Sequence, residues 1–409
     1  MKVLVAAASY GTSVSGVQRH AFNLARCLLQ LPEVSELHLV IAPWQCELAE
    51  RAGIASDSRI TMHIGDMERS SISRNCWYWS RLPQLAAQTE ADVVHLSYPM
   101  PLNSSAFKCP TIVTLHDLYP YEIPMNFGFP KFIFNRVVLR QCLQAAWSIA
   151  CVSDATRKIL KQYAPAVSRK ATTIYNCVDE GPLAGEESPI PGWGNEPFLL
   201  CVAQHRRNKN LRTLIRAFDR LIGSGWIEAN SKLVVIGTRG PETSGIRSLV
   251  HDLRLTNRVN FLENLSESQL QWCYRHCGGL VAASITEGFD LPIAEGLLAG
   301  CRIVCSDIAV HREIGGEHCR YVSLRENPAE QLAAVIADTL DEPKPQPIAL
   351  PQFSSSVLAK QYLALYKNLL AASAPQTTSE AHSFSSPATL EAMAITEPES
   401  QSALAYRGR

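Results

Sequence analysis

The sequence predicts an α/β protein built of two doubly wound parallel-sheet domains facing each other across a cleft. Three observations predict it. Short apolar runs of strand length alternate with amphipathic helical patterns in two long series, residues 1–180 and 198–352. Such alternation implies parallel sheets with helices on both faces. Residues 181–197, GPLAGEESPIPGWGNEP, interrupt it with Pro, Gly and acids and read as a linker. The chain of 409 residues is also long enough for two domains of ordinary size.

In the first series, residues 2–8 read as a strand. Met1-Lys2 and the apolar run after it also have the outline of a very short signal peptide, but the loop and helix pattern that follow favour the strand. Gly11-Thr12-Ser13-Val14-Ser15-Gly16 is a loop. Val17, His20, Ala21, Leu24, Ala25 and Leu28 then recur at helical spacing. Strand-like runs follow at 37–42, 60–64, 92–96, 111–115, 148–152 and 171–174, with helical patterns between most of them. The second series opens with a strand at 198–203 and a helix face of Leu211, Leu214, Ile215, Phe218 and Leu221. Strands at 233–236, 259–262, 279–284 and 302–305 come next. Pro292 marks the first turn of a short helix that ends at Gly300. A helix near 327–340 precedes a last amphipathic one within 353–372. From 373 to 409 the chain turns to Ser, Thr, Pro, Ala and Glu and reads as a disordered tail.

Composition excludes some classes. Thirty-eight basic and thirty-eight acidic residues leave no net charge, so the whole chain carries no nucleic-acid signature. The thirteen Cys show no CxxC pair and no regular spacing, which suits a reducing, cytoplasmic compartment. No stretch reaches the roughly 18 apolar residues of a membrane span.

Ligands of doubly wound sheets bind at the carboxyl ends of strands, and the polar residues there are informative. Gly11–Gly16 has the glycine gap of a phosphate-binding loop, but Val17 and Gln18 replace the required Lys and Ser/Thr. It is not G-x-G-x-x-G either. It reads as a strand-to-helix turn whose Gly16 lets a diphosphate approach the backbone. His116 ends an apolar strand, a position open to a structural or a functional role. After it come Tyr119-Pro120-Tyr121, then Phe127, Phe129, Phe132 and Phe134 with Lys131, Arg136 and Arg140. This is either ordinary packing with a solvated edge or a lip that touches a membrane surface. Gln204-His205-Arg206-Arg207-Asn208-Lys209-Asn210 follows the strand at 198–203; it is a solvated charge run or an anion site. In Glu287-Gly288-Phe289-Asp290-Leu291-Pro292-Ile293-Ala294-Glu295, one carboxylate lies in a strand-end loop and the other about one turn into a helix. The helix start between them favours phosphate, with polyols on either side: the outline of a sugar nucleotide. The bland alternative is two surface acids. Glycosidase chemistry is disfavoured because Glu295 lies within the helix.

Over residues 1–372 the chain resembles glycosyltransferase family four, retaining enzymes of the GT-B fold with two Rossmann-like domains. The likeness rests chiefly on E-G-F-D-L-P-I-A-E. Ser15-Gly16-Val17-Gln18-Arg19-His20, Leu115-His116-Asp117-Leu118, Asn176-Cys177-Val178-Asp179, Asn208-Lys209-Asn210, Cys305-Ser306-Asp307-Ile308 and His311-Arg312-Glu313-Ile314 support it. The resemblance implies that Glu287 contacts the donor sugar near the reacting carbon and that His116 approaches sugar and acceptor. It also implies that Gly288, Phe289, Asp290 and Leu291 hold the distal phosphate by their backbone and that Glu295 binds the ribose. Lys209 with Arg206 or Arg207 would hold the diphosphate, covered by Gly16. The helix within 353–372 would cross back to the first domain. No metal and no cofactor is implied; the donor is a nucleoside diphosphate sugar, with GDP-mannose favoured by analogy. The acceptor would be a sugar or lipid-linked hydroxyl, reached from the cytoplasm with peripheral contact at the inner membrane face. A non-catalytic sugar-nucleotide scaffold or sensor is the alternative. Three departures stand out: Asp290 replaces the commoner Gly, Ala203 a Gly, and Asn208 an Arg. Asp290 is expected to cap the helix, as Asp does well at that position.

Overall fold

The computed structural model describes residues 1–11, 16–178 and 187–373. Residues 12–15 of the first loop, 179–186 of the linker region and 374–409 of the expected tail lie outside the described residues. The first sheet holds β1 (Lys2–Ala6), β2 (Glu36–Ile41), β3 (Ile60–Ile64), β4 (Val93–Leu96), β5 (Thr111–Leu115), β6 (Ser148–Cys151) and β7 (Ala171–Thr173). The second holds β8 (Phe198–Val202), β9 (Lys232–Ile236), β10 (Val259–Leu262), β11 (Gly279–Ala282), β12 (Ile303–Ser306) and β13 (Arg320–Val322). Their orders are β3-β2-β1-β4-β5-β6-β7 and β10-β9-β8-β11-β12-β13. Every pairing is parallel.

The central strands are buried on both faces, which is why they read as unbroken apolar runs. A polar residue survives there only with partners. His95 in β4 is fully buried, and its ring nitrogens meet the Tyr366 hydroxyl at 2.6 Å and Thr114 Oγ1 at 2.8 Å. Tyr366 belongs to the helix Ser355–Ser373, which packs Leu358, Ala359, Tyr362 and Tyr366 into the core under the first sheet. The end of the chain thus returns to the domain where it began. Among the described residues no helix is long and apolar enough to cross a membrane.

Both sheets reverse strand order once, between β1 and β4 and between β8 and β11. At such a point the loops leaving two neighbouring strands diverge and leave a crevice at their carboxyl ends. The first-domain helix at Gly16–Leu29 follows β1, and His116 follows β5. Lys209 lies beyond β8, and Glu287 beyond β11.

Candidate active site

Two short loops bring the central charges together. After β8 the chain makes a tight turn at Arg207–Lys209, and Asn210 adopts a left-handed backbone (φ 50°) before the helix Leu211–Gly223. The loop after β11 is tied to it, the Ile285 N–H donating to the Asn208 carbonyl at 2.8 Å. Lys209 Nζ consequently lies 2.6 Å from Glu287 Oε1, with only 16% and 6% of the two side chains exposed. Asn208 Nδ2 donates to the same Glu287 oxygen at 3.3 Å, and the Tyr119 hydroxyl, from the first domain, donates to Oε2 at 2.9 Å. Asp290 Oδ1 is 4.0 Å from Lys209 Nζ, and Oδ2 is 2.9 Å from His311 Nε2. Burial works against the Lys209 ammonium, but Glu287 and Asp290 outweigh it and raise its pKa. Burial likewise opposes the Asp290 carboxylate, and Lys209 and His311 hold its pKa below the ordinary value.

The capping expectation for Asp290 is corrected. Its side chain makes no cap bond to the helix Leu291–Leu298 and stands on a left-handed backbone (φ 66°). Two cationic or proton-donating partners hold a buried carboxylate more strongly than one helix N–H does.

Gly288 forms the seam between the domains. A Cβ there would lie 1.7 Å from the His116 carbonyl oxygen, so no larger residue fits without parting the walls. Its own carbonyl accepts from Ser153 Oγ at 2.6 Å and from Thr156 Oγ1 at 3.2 Å. Beside it, the N–H groups of Asp154 and Ala155, at the start of the helix Asp154–Tyr163, donate to the two Glu313 oxygens at 2.6 and 2.8 Å. His116 donates its Nε2–H to the Ser97 carbonyl (2.8 Å), since a carbonyl can only accept. Nδ1 is then an acceptor. Burial lowers the pKa of this imidazole to about 4, so it is neutral near pH 7.

Glu295 is also engaged from both domains. Arg19 Nη1 meets its Oε1 at 2.7 Å, and the Tyr274 hydroxyl donates to Oε2 at 2.7 Å. Arg19 Nη2 reaches Glu267 at 2.7 Å. Gly16 is exposed at the start of the Arg19 helix, and a Cβ added there would meet nothing within 4 Å. The cavity left beside Lys209, Ser284, Asp290 and Pro292 is about 10 Å3, room for one water.

Residues 14–181 match Glycosyltransferase Family 4, and residues 185–348 match Glycosyl transferases group 1. The chain belongs to glycosyltransferase family four. It is 22% identical over 320 residues to the O-antigen chain mannosyltransferase RfbU of Salmonella typhimurium, covering 76% of this chain and 84% of that protein. It is 23% identical over 335 residues to O-antigen chain mannosyltransferase B of Escherichia coli, covering 78% and 85%. Its fold matches the crystal structure of Anabaena Alr3699/HepE in complex with UDP, with a TM-score of 0.62 at 17% identity, covering 90% of this chain and 100% of that one. This is the GT-B fold.

Within this glycosyltransferase, the residues singled out from sequence fall into two groups. Lys209, Glu287, Gly288, Asp290 and the His116 backbone converge. Phe289 turns away: its ring packs 6.2 Å from Tyr175 and 5.2 Å from Phe353, in apolar contact between the domains. Leu291 packs on the second-domain core. Arg206 and Arg207 are exposed ahead of Lys209. Tyr119, read from sequence as part of the lip, is instead buried against Glu287. Reading by motif left Arg19, Asp117, Asn208, Tyr274 and His311 without roles, although four of the five lie in or beside quoted motifs. Burial raises the Asp117 pKa to about 7, against the pull of the Tyr119 N–H at 3.0 Å and the Arg206 charge.

Proposed function

We propose that this glycosyltransferase moves a hexose, with mannose favoured, from a nucleoside diphosphate sugar to an acceptor hydroxyl with retention. The reading places it in glycan, polysaccharide or glycolipid synthesis. The observation that carries it is the buried Lys209–Glu287 pair at the reversal point of the second sheet, beside a helix start. Lys209, with Arg206 or Arg207, would neutralise the diphosphate without a metal or cofactor, and the first turn of the helix Leu291–Leu298 would add N–H donors. Two relatives that carry mannosyltransferase names support the sugar and the polysaccharide setting.

Phosphate and Glu287 would compete for Lys209. Donor binding would therefore release Glu287 toward the sugar hydroxyls, while ribose hydroxyls would take the Glu295 oxygens from Arg19 and Tyr274. Closure of the two domains around the donor would assemble the site and exclude water. In the step itself the bond from C1 to the phosphate oxygen breaks. The acceptor oxygen bonds C1 on the same face, and its proton passes to the departing phosphate. Neutral His116 would accept a sugar hydroxyl hydrogen bond at Nδ1.

A thermal-shift panel of GDP, UDP, ADP and their sugars tests this. One base should raise the melting temperature well above the others, because ligand binding stabilises the native state by mass action. Incubation with that base's sugar and an acceptor should release nucleoside diphosphate. Stabilisation without release would indicate a sugar-nucleotide scaffold, and no stabilisation would overturn the reading.

A membrane-facing lip belongs to the same proposal. Met125, Phe129, Ile133, Phe134 and Val137 are exposed on one stretch of the first domain, Phe129 to 81%, with Lys131 and Arg140 exposed beside them. Arg136 is instead held by the Pro120 carbonyl at 2.7 Å and lies over the Tyr121 and Phe132 rings. Wild type should sediment with vesicles containing anionic lipid, and the double variant F129D/F134D should lose about tenfold in partitioning. Wild type left in the supernatant would refute the lip.

A further inference from the structure

Asp290 presents a problem for phosphate binding. Its side chain is only 2% exposed and lies 4.0 Å from Lys209, the lysine proposed to hold the diphosphate. A carboxylate there competes for Lys209 and repels the incoming anion. When phosphates take Lys209, Asp290 loses that partner as well, and an unpaired buried charge is costly.

The fold supplies a second partner from behind. His311 lies in the helix Ala309–Gly315 and is wholly buried. Its Nδ1 lies 2.9 Å from the Ser306 carbonyl and 3.1 Å from Ser306 Oγ, whose own proton goes to the Ser284 carbonyl. Both are acceptors toward the ring, so Nδ1 carries a proton. Nε2 then meets Asp290 Oδ2 at 2.9 Å. Two lone pairs do not sit at that distance, so one proton lies between them, whichever atom holds it. The Asp290–His311 pair as a unit therefore carries no net charge.

We propose that His311 is a positioning residue for the donor phosphates: it cancels the charge that Asp290 brings to the loop, so the loop receives a diphosphate despite its buried carboxylate. The pair also anchors the loop, since Asp290 is tied to the Ala309–Gly315 helix while its backbone holds the left-handed turn into the helix Leu291–Leu298. The inference rests on the sugar-nucleotide reading above.

The test is a two-by-two cycle in the full chain. It reads affinity by titration calorimetry with whichever of GDP, UDP and ADP binds wild type most tightly, and kcat and KM with the matching sugar donor. H311Q keeps an N–H toward Asp290 but supplies no shared proton. It should weaken nucleoside diphosphate binding about tenfold and raise donor KM in parallel, with kcat within about twofold. D290N/H311Q, with no carboxylate to neutralise, should return to within about threefold of wild type. D290N alone should bind at least as tightly as wild type, because Asn also tolerates a left-handed backbone. Unchanged affinity in H311Q, no rescue in the double variant, or a tenfold loss in D290N would each overturn the proposal. D290N decides it should H311Q fail to fold. If wild type binds none of the three nucleotides, the sugar-nucleotide reading fails first; if it binds one and the cycle is flat, only the role of His311 fails.

Discussion

Glu287→Ala is expected to lower transfer turnover by about 10²- to 10³-fold, the scale seen when one preorganised electrostatic contact to a developing charge is removed. The same variant should bind free nucleoside diphosphate as tightly as wild type or more tightly. The reason is the 2.6 Å contact between Glu287 and Lys209. In the closed site the carboxylate holds the cation that phosphate needs, so deleting it removes a competitor. The sugar, in contrast, loses its anionic partner, and the Tyr119 hydroxyl loses its acceptor. Glu287→Gln separates these contributions, since its amide oxygen still accepts from Tyr119. Calorimetry with nucleoside diphosphate, set against single-turnover transfer, measures both effects. Equal losses in affinity and turnover would make Glu287 a structural residue.

That the two effects differ in sign depends on geometry the sequence shows only in part. The sheets were legible because buried parallel strands are largely apolar runs, as at Val3–Ala6 and Leu280–Ala282. β13 was not: β7, equally short and on an edge, shows the β-branched run Thr172-Thr173-Ile174, whereas Arg320–Val322 offers Val322 alone. Lys209 and Glu287 could be singled out because each follows an apolar strand at its carboxyl end. Their contact could be guessed once the two sheets were assigned. Partners drawn from the other domain could not. Arg19 meets Glu295 across 276 positions of chain and Tyr119 meets Glu287 across 168. No local pattern reports such distances. Asp290 shows how a local rule fails: capping preference concerns the nearest N–H groups, whereas the carboxylate is claimed by His311, 21 positions away. The Phe289 ring, about which the motif says nothing, is drawn from the loop into the apolar contact with Tyr175 and Phe353.

Lys209→Ala should act in the opposite direction on affinity. Loss of the ammonium is expected to weaken nucleoside diphosphate binding by about 10²-fold and to slow transfer at least as much, because truncating one partner of a buried, hydrogen-bonded charge pair commonly costs that and more. It should also destabilise the empty protein. Among the described residues Glu287 would keep only Tyr119 and Asn208, and Asp290 only His311, with both carboxylates under 10% exposed. Breaking a buried pair from one side costs about 3–5 kcal/mol, which a denaturant titration of the ligand-free variant would register. The two measurements are linked. In the double variant K209A/E287A no carboxylate is left facing a missing cation at that position, so stability should recover toward that of Glu287→Ala alone while nucleotide affinity stays low. Recovery of affinity in the double variant, or wild-type affinity in Lys209→Ala, would remove Lys209 from the phosphate site and leave the pair as packing between two loops.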